Sequence, residues 1–164
     1  FMPYKGVDTL VRMAALLPGH ELHLLSRMPT GEEARLRALA PDARIVVHDG
    51  VTDAEYADVL RSATALVHAS RDEGFGIPLL EAMALGVPVV VSDIPIFREV
   101  AGDAGVYAPV DDAHGFADAV RGLEGEWAAR SAASRAQAAT FSWDASADAL
   151  HAALAATVAA RRQR

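Results

Sequence analysis

The sequence predicts an α/β fold, a Rossmann-like doubly wound parallel sheet with helices on both faces. Three observations carry that prediction. From Glu21 onward, short β-branched runs alternate with helical patterns. Val89-Val90-Val91 is apolar throughout, as a strand covered on both faces must be. The 164 residues, 52% of them hydrophobic and 23% charged, suffice for a single domain with a core of its own.

Five strands are expected, at Glu21 to Ser26, Arg44 to His48, Ala65 to His68, Pro88 to Ser92 and Gly105 to Ala108. Helices separate them. Thr30-Gly31-Glu32-Glu33 and Thr52-Asp53-Ala54-Glu55 both fit the capping box, in which a Thr oxygen and a Glu carboxylate satisfy orphan amides at a helix start. These helices are expected to run to about Leu39 and Ser62. A third, Ile77 to Leu85, ends at Gly86-Val87-Pro88, where a C-terminal glycine is followed by a proline that forbids continuation. Asp111-Asp112 can cap a helix from Ala113 to Leu123, and the remainder reads as alanine-rich helix broken near Thr140-Phe141-Ser142. The terminal Arg161-Arg162-Gln163-Arg164 reads as a helix end, where cations suit the helix dipole.

Composition excludes several functions. With no cysteine there is no disulfide scaffold, no thiolate metal site and no thiol nucleophile. A formal charge of -7 argues against a general binder of nucleic-acid backbones, which needs clustered positive charge. No run approaches the roughly 20 apolar residues that span a bilayer. Phe1-Met2-Pro3-Tyr4-Lys5 lacks the charged region and apolar core of a signal peptide. Among 15 basic residues Lys5 is the single lysine.

The chemistry concentrates in Arg71-Asp72-Glu73-Gly74-Phe75-Gly76-Ile77-Pro78-Leu79-Leu80-Glu81, which follows the strand ending at His68 and opens a helix. In open parallel sheets ligands bind at such strand ends. Gly74 and Gly76 let backbone approach a ligand closely, and the amides of Ile77, Leu79 and Leu80 offer donors beside a partial positive charge of about half a unit. Glu73 lies in the turn and Glu81 one to two helical turns deeper. Each carboxylate can accept two hydrogen bonds from a vicinal diol. A nucleoside diphosphate sugar, with diols at both ends and anionic charge between, matches that order. Taken singly, Glu81 reads equally as the solvent side of a helix, and the glycines as a tight turn.

The stretch from Glu73 to Val90, with seven residues between Glu73 and Glu81, resembles the retaining family-4 (group 1) glycosyltransferases. The likeness continues through Ser92-Asp93-Ile94-Pro95-Ile96-Phe97-Arg98-Glu99-Val100, Gly102-Asp103-Ala104-Gly105 and Phe141-Ser142-Trp143-Asp144. Nearly the whole chain, residues 1–164, thus resembles the C-terminal, donor-binding half of a GT-B enzyme. The resemblance implies that Glu73 contacts hydroxyls of the transferred sugar and that the amides from Gly74 through Phe75, Gly76 and Ile77 to Leu79 hold sugar and diphosphate. It also implies that Glu81 binds the ribose diol. Lys5, in Pro3-Tyr4-Lys5-Gly6-Val7-Asp8, matches the family lysine that contacts the diphosphate, where an ammonium offsets charge building on the leaving group. The companion arginine of the family would fall upstream of Phe1. Arg27, after Ser26, and Val51, after Asp49-Gly50, are expected near the base. Asp93 and Glu99 sit near the switch region, where Glu99 can also pair with Arg98.

The resemblance further implies metal-independent transfer without a cofactor, from a nucleotide-sugar donor to a glycan or lipid-linked acceptor. The Ile94-Pro95-Ile96-Phe97-Arg98-Glu99 stretch resembles mannosyltransferases of surface-polysaccharide synthesis, which puts GDP-mannose ahead of a UDP-sugar as donor. A cytoplasmic setting follows, with peripheral association of the parent enzyme at the inner face of the membrane. Three other functions fit the same architecture: a non-enzymatic nucleotide-sugar binding module, a nucleotide-sugar epimerase and a sheet-based response module, the last of which leaves the glutamate pair without a task. The epimerase needs its own acid and base residues, and no such set stands out. His23, His48 and His68, on three expected strands, raise a zinc site, but none has the close pair spacing of a zinc motif.

Two structural expectations complete the reading. Ala147, Leu150, Leu154 and Val158 recur at helical spacing, and part of this apolar stripe is expected to be exposed, or buried in a neighbouring molecule, where an acceptor domain is absent. Lys5-Gly6 already opens the first helix, so in the order 3-2-1-4-5-6 the central first strand is expected upstream of Phe1. Its absence would leave a gap between the strands at Glu21 to Ser26 and Ala65 to His68.

Overall fold

The computed structural model describes residues 2–162. A 3-10 turn at Pro3–Lys5 leads into α1 (Val7–Ala15), and five strands then alternate with helices: β1 (Leu22–Leu24), α2 (Glu32–Leu39), β2 (Ile45–Val47), α3 (Asp53–Ser62), β3 (Leu66–His68), α4 (Ile77–Ala84), β4 (Val89–Ser92), α5 (Pro95–Ala101), β5 (Val106–Ala108) and α6 (Ala113–Arg121). Two further helices close the chain, α7 (Trp127–Ala138) and α8 (Trp143–Arg162). All five expected strands form, each within its expected bounds. Gln163 and Arg164 lie outside the described residues.

Every strand pairing is parallel. β1 pairs with β2, Leu22 opposite Ile45, and β3-β4-β5 form a separate sheet with Val67 opposite Val90 and Val91 opposite Tyr107. The described residues place no strand between β1 and β3. A cavity of about 880 Å³ occupies that position, floored by Leu10, Met13 and Ala14 of α1 and walled by β1 and β3. The two sheets are thus separate, with this cavity between β1 and β3.

β4 is the central strand of its sheet, and its alternation divides the core in two. Val90 faces a cluster with Val11 and Met13 of α1 and Phe116 and Val120 of α6. Val89 and Val91 face the other cluster, with Leu79 and Met83 of α4 and Phe97 and Val100 of α5. Successive residues point to opposite faces of a strand, so an unbroken valine run serves two helical layers at once. Truncating Phe97 or Phe116, both fully buried, to Ala costs about 3–5 kcal/mol.

Local signals fix several helix ends. At α3 the capping box forms in full: Thr52 Oγ1 accepts from the Glu55 N–H at 3.3 Å and Glu55 Oε2 accepts from the Thr52 N–H at 2.8 Å. The capping box expected at Thr30 does not form. α2 instead starts after Gly31 in the left-handed region (φ 83), and Glu32 and Glu33 pair with Arg35 and Arg37. A box needs the Thr at the N-cap and its carboxylate three residues on, whereas here Gly31 holds the N-cap position and Glu33 is paired with Arg37. α4 ends as expected, with Gly86 N–H donating to the Met83 carbonyl and Val87 N–H to that of Ala82, the two bonds of a Schellman motif. Asp112 caps α6 by accepting from the Gly115 N–H at 3.0 Å. The alanine-rich remainder breaks near residue 140 as expected, and also at Gly122 to Glu126, where Gly125 has φ 81.

Candidate functional site

Gly6 sets the geometry of the site. Its φ is 65°, and a Cβ there would lie 2.1 Å from the Ala69 carbonyl oxygen, so only glycine lets the start of α1 press against the end of β3. The Arg71 N–H donates to the Tyr4 carbonyl at 2.8 Å and the Arg71 guanidinium to that of Pro3 at 3.1 Å, clamping the turn before α1 to the loop after β3. Lys5 and Glu73 thereby meet, with Lys5 Nζ donating to Glu73 Oε1 at 2.5 Å.

Glu73 is the hub of a small polar cluster. Ser70, fully buried, donates from Oγ to Glu73 Oε1 at 2.8 Å, and the His68 Nε2 lies 3.7 Å from the same oxygen. Burial would raise the Glu73 carboxyl, but the hydrogen bonds from Lys5 and Ser70 and the Lys5 charge outweigh it and hold the group below the usual glutamate range. Burial likewise works against the Lys5 ammonium, yet the Glu73 hydrogen bond and charge leave its pKa above the ordinary value. His68 is different. Burial, reinforced by the Lys5 charge and only partly offset by Glu73, keeps it below its ordinary value of 6.5. The sequence analysis assigns no role to Ser70 and names His68 only as a strand end and a zinc candidate. The signal available for Ser70 was its position three residues before Glu73 on the same turn.

The glycine loop leads from Glu73 into α4. Gly76 is left-handed (φ 96), and a Cβ there would lie 3.1 Å from the Phe97 ring. Phe75 and Ile77 are exposed, while Phe75 packs edge-on against Phe141 with ring centroids 5.9 Å apart. One expected donor is engaged: the Leu79 N–H donates to the Gly76 carbonyl at 2.9 Å, because the left-handed glycine tightens the first turn, and the Leu79 side chain is fully buried. Gly74 is open, with nothing near the position of a Cβ.

Glu81 projects from the second turn of α4 and is exposed. Its Oε2 accepts from the Tyr56 hydroxyl at 2.8 Å, a partner on α3 that the sequence did not disclose. Arg27 and Val51 follow β1 and β2, which are neighbours. The Arg27 guanidinium approaches Gly50, its Nε 3.6 Å from where a Cβ would stand. Both lie outside the cavity that Lys5, His68 and Tyr56 help to line. Asp93, not Glu99, takes Arg98, in a two-pronged pair at 2.7 and 2.8 Å, with the guanidinium 4.1 Å from the centre of the Tyr107 ring.

His23 and His48 meet across β1 and β2, Nδ1 to Nε2 at 3.0 Å, whereas His68 packs edge-on against Phe97. Among the described residues no three His, Asp or Glu side chains are placed to share a metal ion. Nor is any described helix long and apolar enough to cross a membrane.

Relatives agree with this architecture. The chain is 50% identical over 62 residues to the O-antigen chain mannosyltransferase RfbU of Salmonella typhimurium, a match covering 38% of this chain and 18% of that protein. To the phosphatidyl-myo-inositol mannosyltransferase of Mycolicibacterium smegmatis it is 39% identical over 130 residues, 74% of this chain and 33% of the relative. Among solved structures, the sucrose-phosphate synthase of Thermosynechococcus elongatus superposes with a TM-score of 0.82 at 27% identity, over 97% of this chain and 44% of that one. Its structural neighbours are GT-B glycosyltransferases, and the chain spans less than half the length of these relatives. A family description, glycosyl transferases group 1, matches residues 1–125. With that match over most of its length, the chain belongs to the group 1 glycosyltransferases.

Proposed function

We propose that this chain is the donor-binding half of a retaining glycosyltransferase that moves a mannosyl group from GDP-mannose to a glycan or lipid-linked acceptor. The observation that carries the reading is the meeting of Lys5 and Glu73, 2.5 Å apart, at a glycine turn that opens a helix bearing a second carboxylate at Glu81. An ammonium, a helix start and two flanking carboxylates match the charge order of a nucleoside diphosphate sugar. The names of the relatives, which include O-antigen and phosphatidylinositol mannosyltransferases, support mannose and surface-glycan assembly.

In this reading the donor diphosphate takes Lys5 from Glu73. Lys5 and the amides of the Gly74–Ile77 turn then neutralise charge that grows on the leaving phosphate, an interaction stronger in the transition state than in the ground state. Glu73 accepts hydrogen bonds from hydroxyls of the transferred sugar, Glu81 takes the ribose diol, and Arg27 and Val51 stand on the side of the base. The acceptor attacks on the face the diphosphate leaves. Glu73 positions the sugar and forms no covalent bond to it. Peripheral association with the inner face of a membrane belongs to the same proposal.

Calorimetry with GDP-mannose, UDP-glucose, GDP and UDP, paired with acceptor turnover by the whole enzyme, tests it. Tighter binding of GDP-mannose than of UDP-glucose, with mannosyl transfer and retained configuration, is expected. Nucleotide binding without transfer favours a sensing module, and no binding at all rejects the reading.

A further inference from the structure

Tyr56 and Glu81 lie 25 residues apart, on α3 and α4, and their side chains form a hydrogen bond of 2.8 Å from the phenol to Oε2. Tyr56 is not free to wander. α3 is fixed at its start by the Thr52–Glu55 capping box, and the Tyr56 N–H donates to the Thr52 carbonyl at 2.9 Å. The Tyr56 ring is half-buried against the cluster that contains Leu60 and Leu79. Glu81, by contrast, is exposed on a helix surface, where an unassisted glutamate samples several rotamers.

We propose that Tyr56 is a positioning residue for ribose recognition, holding the Glu81 carboxylate in the one orientation that accepts both hydroxyls of the donor's ribose. The proposal rests on the donor-binding reading of the site. A carboxylate has about four lone-pair positions, and the phenol occupies one of them on Oε2. Three remain, enough for a vicinal diol, and their directions are set by a ring half-buried against the core. Without the phenol, Glu81 must lose rotamer freedom when the nucleotide arrives, and that cost appears in affinity. Burial and the Glu81 charge both raise the Tyr56 pKa, so the group stays a donor at every working pH.

The role differs from plain packing because it depends on hydroxyls of the ligand. Calorimetry on the full chain with GDP and with 2′,3′-dideoxy-GDP separates the two. Tyr56→Phe keeps the ring, and a thermal melt confirms the fold. Its affinity for GDP is expected to fall about 3- to 10-fold, with no change for the dideoxy nucleotide. In the Glu81→Ala background the same substitution is expected to have no further effect, since no acceptor is left for the phenol to hold. An unchanged GDP affinity in Tyr56→Phe overturns the proposal. Equal losses with both nucleotides overturn it too, leaving Tyr56 as a packing residue while donor binding stands. If the unsubstituted chain binds no nucleotide at all, the donor-binding reading itself fails and the proposal fails with it.

Discussion

The Lys5 ammonium and the Glu73 carboxylate, 68 residues apart in the chain, are joined by a hydrogen bond of 2.5 Å. Each was a candidate by itself, but their pairing is a property of the fold. It gives Glu73 a partner in Lys5 besides the role proposed for it toward the sugar.

Glu73→Gln is therefore expected to lower turnover of the whole enzyme by about 100-fold, the scale of lost hydrogen bonds to a reacting sugar. Affinity for bare GDP should stay within about 3-fold, because Lys5 no longer has to leave a carboxylate to meet the diphosphate. Parallel kinetics and calorimetry check this, and an equal loss in both measurements contradicts it.

Glu81→Ala should weaken nucleotide-sugar binding by about 1.5 to 3 kcal/mol, the scale of hydrogen bonds to a charged group. Because Glu81 is exposed, the melting temperature should hardly move. Unchanged affinity with normal melting would make Glu81 a surface residue.

The pH dependence of stability should carry a His68 component. Its folded pKa lies below 6.5, so below that pH the unfolded chain takes up a proton that the folded site, with Lys5 beside it, resists. The sign is fixed: this contribution is complete above about pH 7 and declines as pH falls through 6.5 towards the lower folded value. Urea unfolding across that range, with His68→Asn as control, measures it. A variant with the same slope as the unsubstituted chain would rule the component out.

Among the described residues, the slot between β1 and β3 is faced by backbone amides. Leu22 N–H donates to the Arg44 carbonyl and Leu66 N–H to that of Pro88, so the intervening His23 and Val67 amides point the opposite way, into the slot. In the 164-residue chain by itself, these two should exchange hydrogen about 100-fold faster than Val90, inside the sheet. Adding an extended apolar strand to the slot should slow them. Strong protection in the chain alone would show that the slot is closed in solution.

The stripe on α8 packs on none of the two cores. Leu150 is 62% exposed and Leu154 59%, with Ala147 and Val158 also exposed, as the sequence reading expects. Leu150→Gln and Leu154→Gln keep helix propensity and should each change unfolding free energy by less than about 0.5 kcal/mol. A loss near 2 kcal/mol, the value of a buried leucine, would place the stripe against the same sheet.

The sequence by itself determined whatever is encoded within a few neighbouring residues. The Thr52–Glu55 box, the Gly86 helix stop, the Asp112 cap and the unbroken Val89–Val91 run were all legible, because capping and burial on two faces depend on short spacing. The Thr30 box does not form because α2 starts from Gly31 and Arg37, further along the helix, takes the Glu33 carboxylate. Tertiary structure alone decided which distant residues meet. Tyr56 reaches Glu81 only because α3 and α4 are neighbours, and Lys5 reaches Glu73 only because Gly6 admits the Ala69 carbonyl at a distance no side chain tolerates. Contacts between residues 25 or 68 positions apart follow from strand order and helix packing, which no local pattern records.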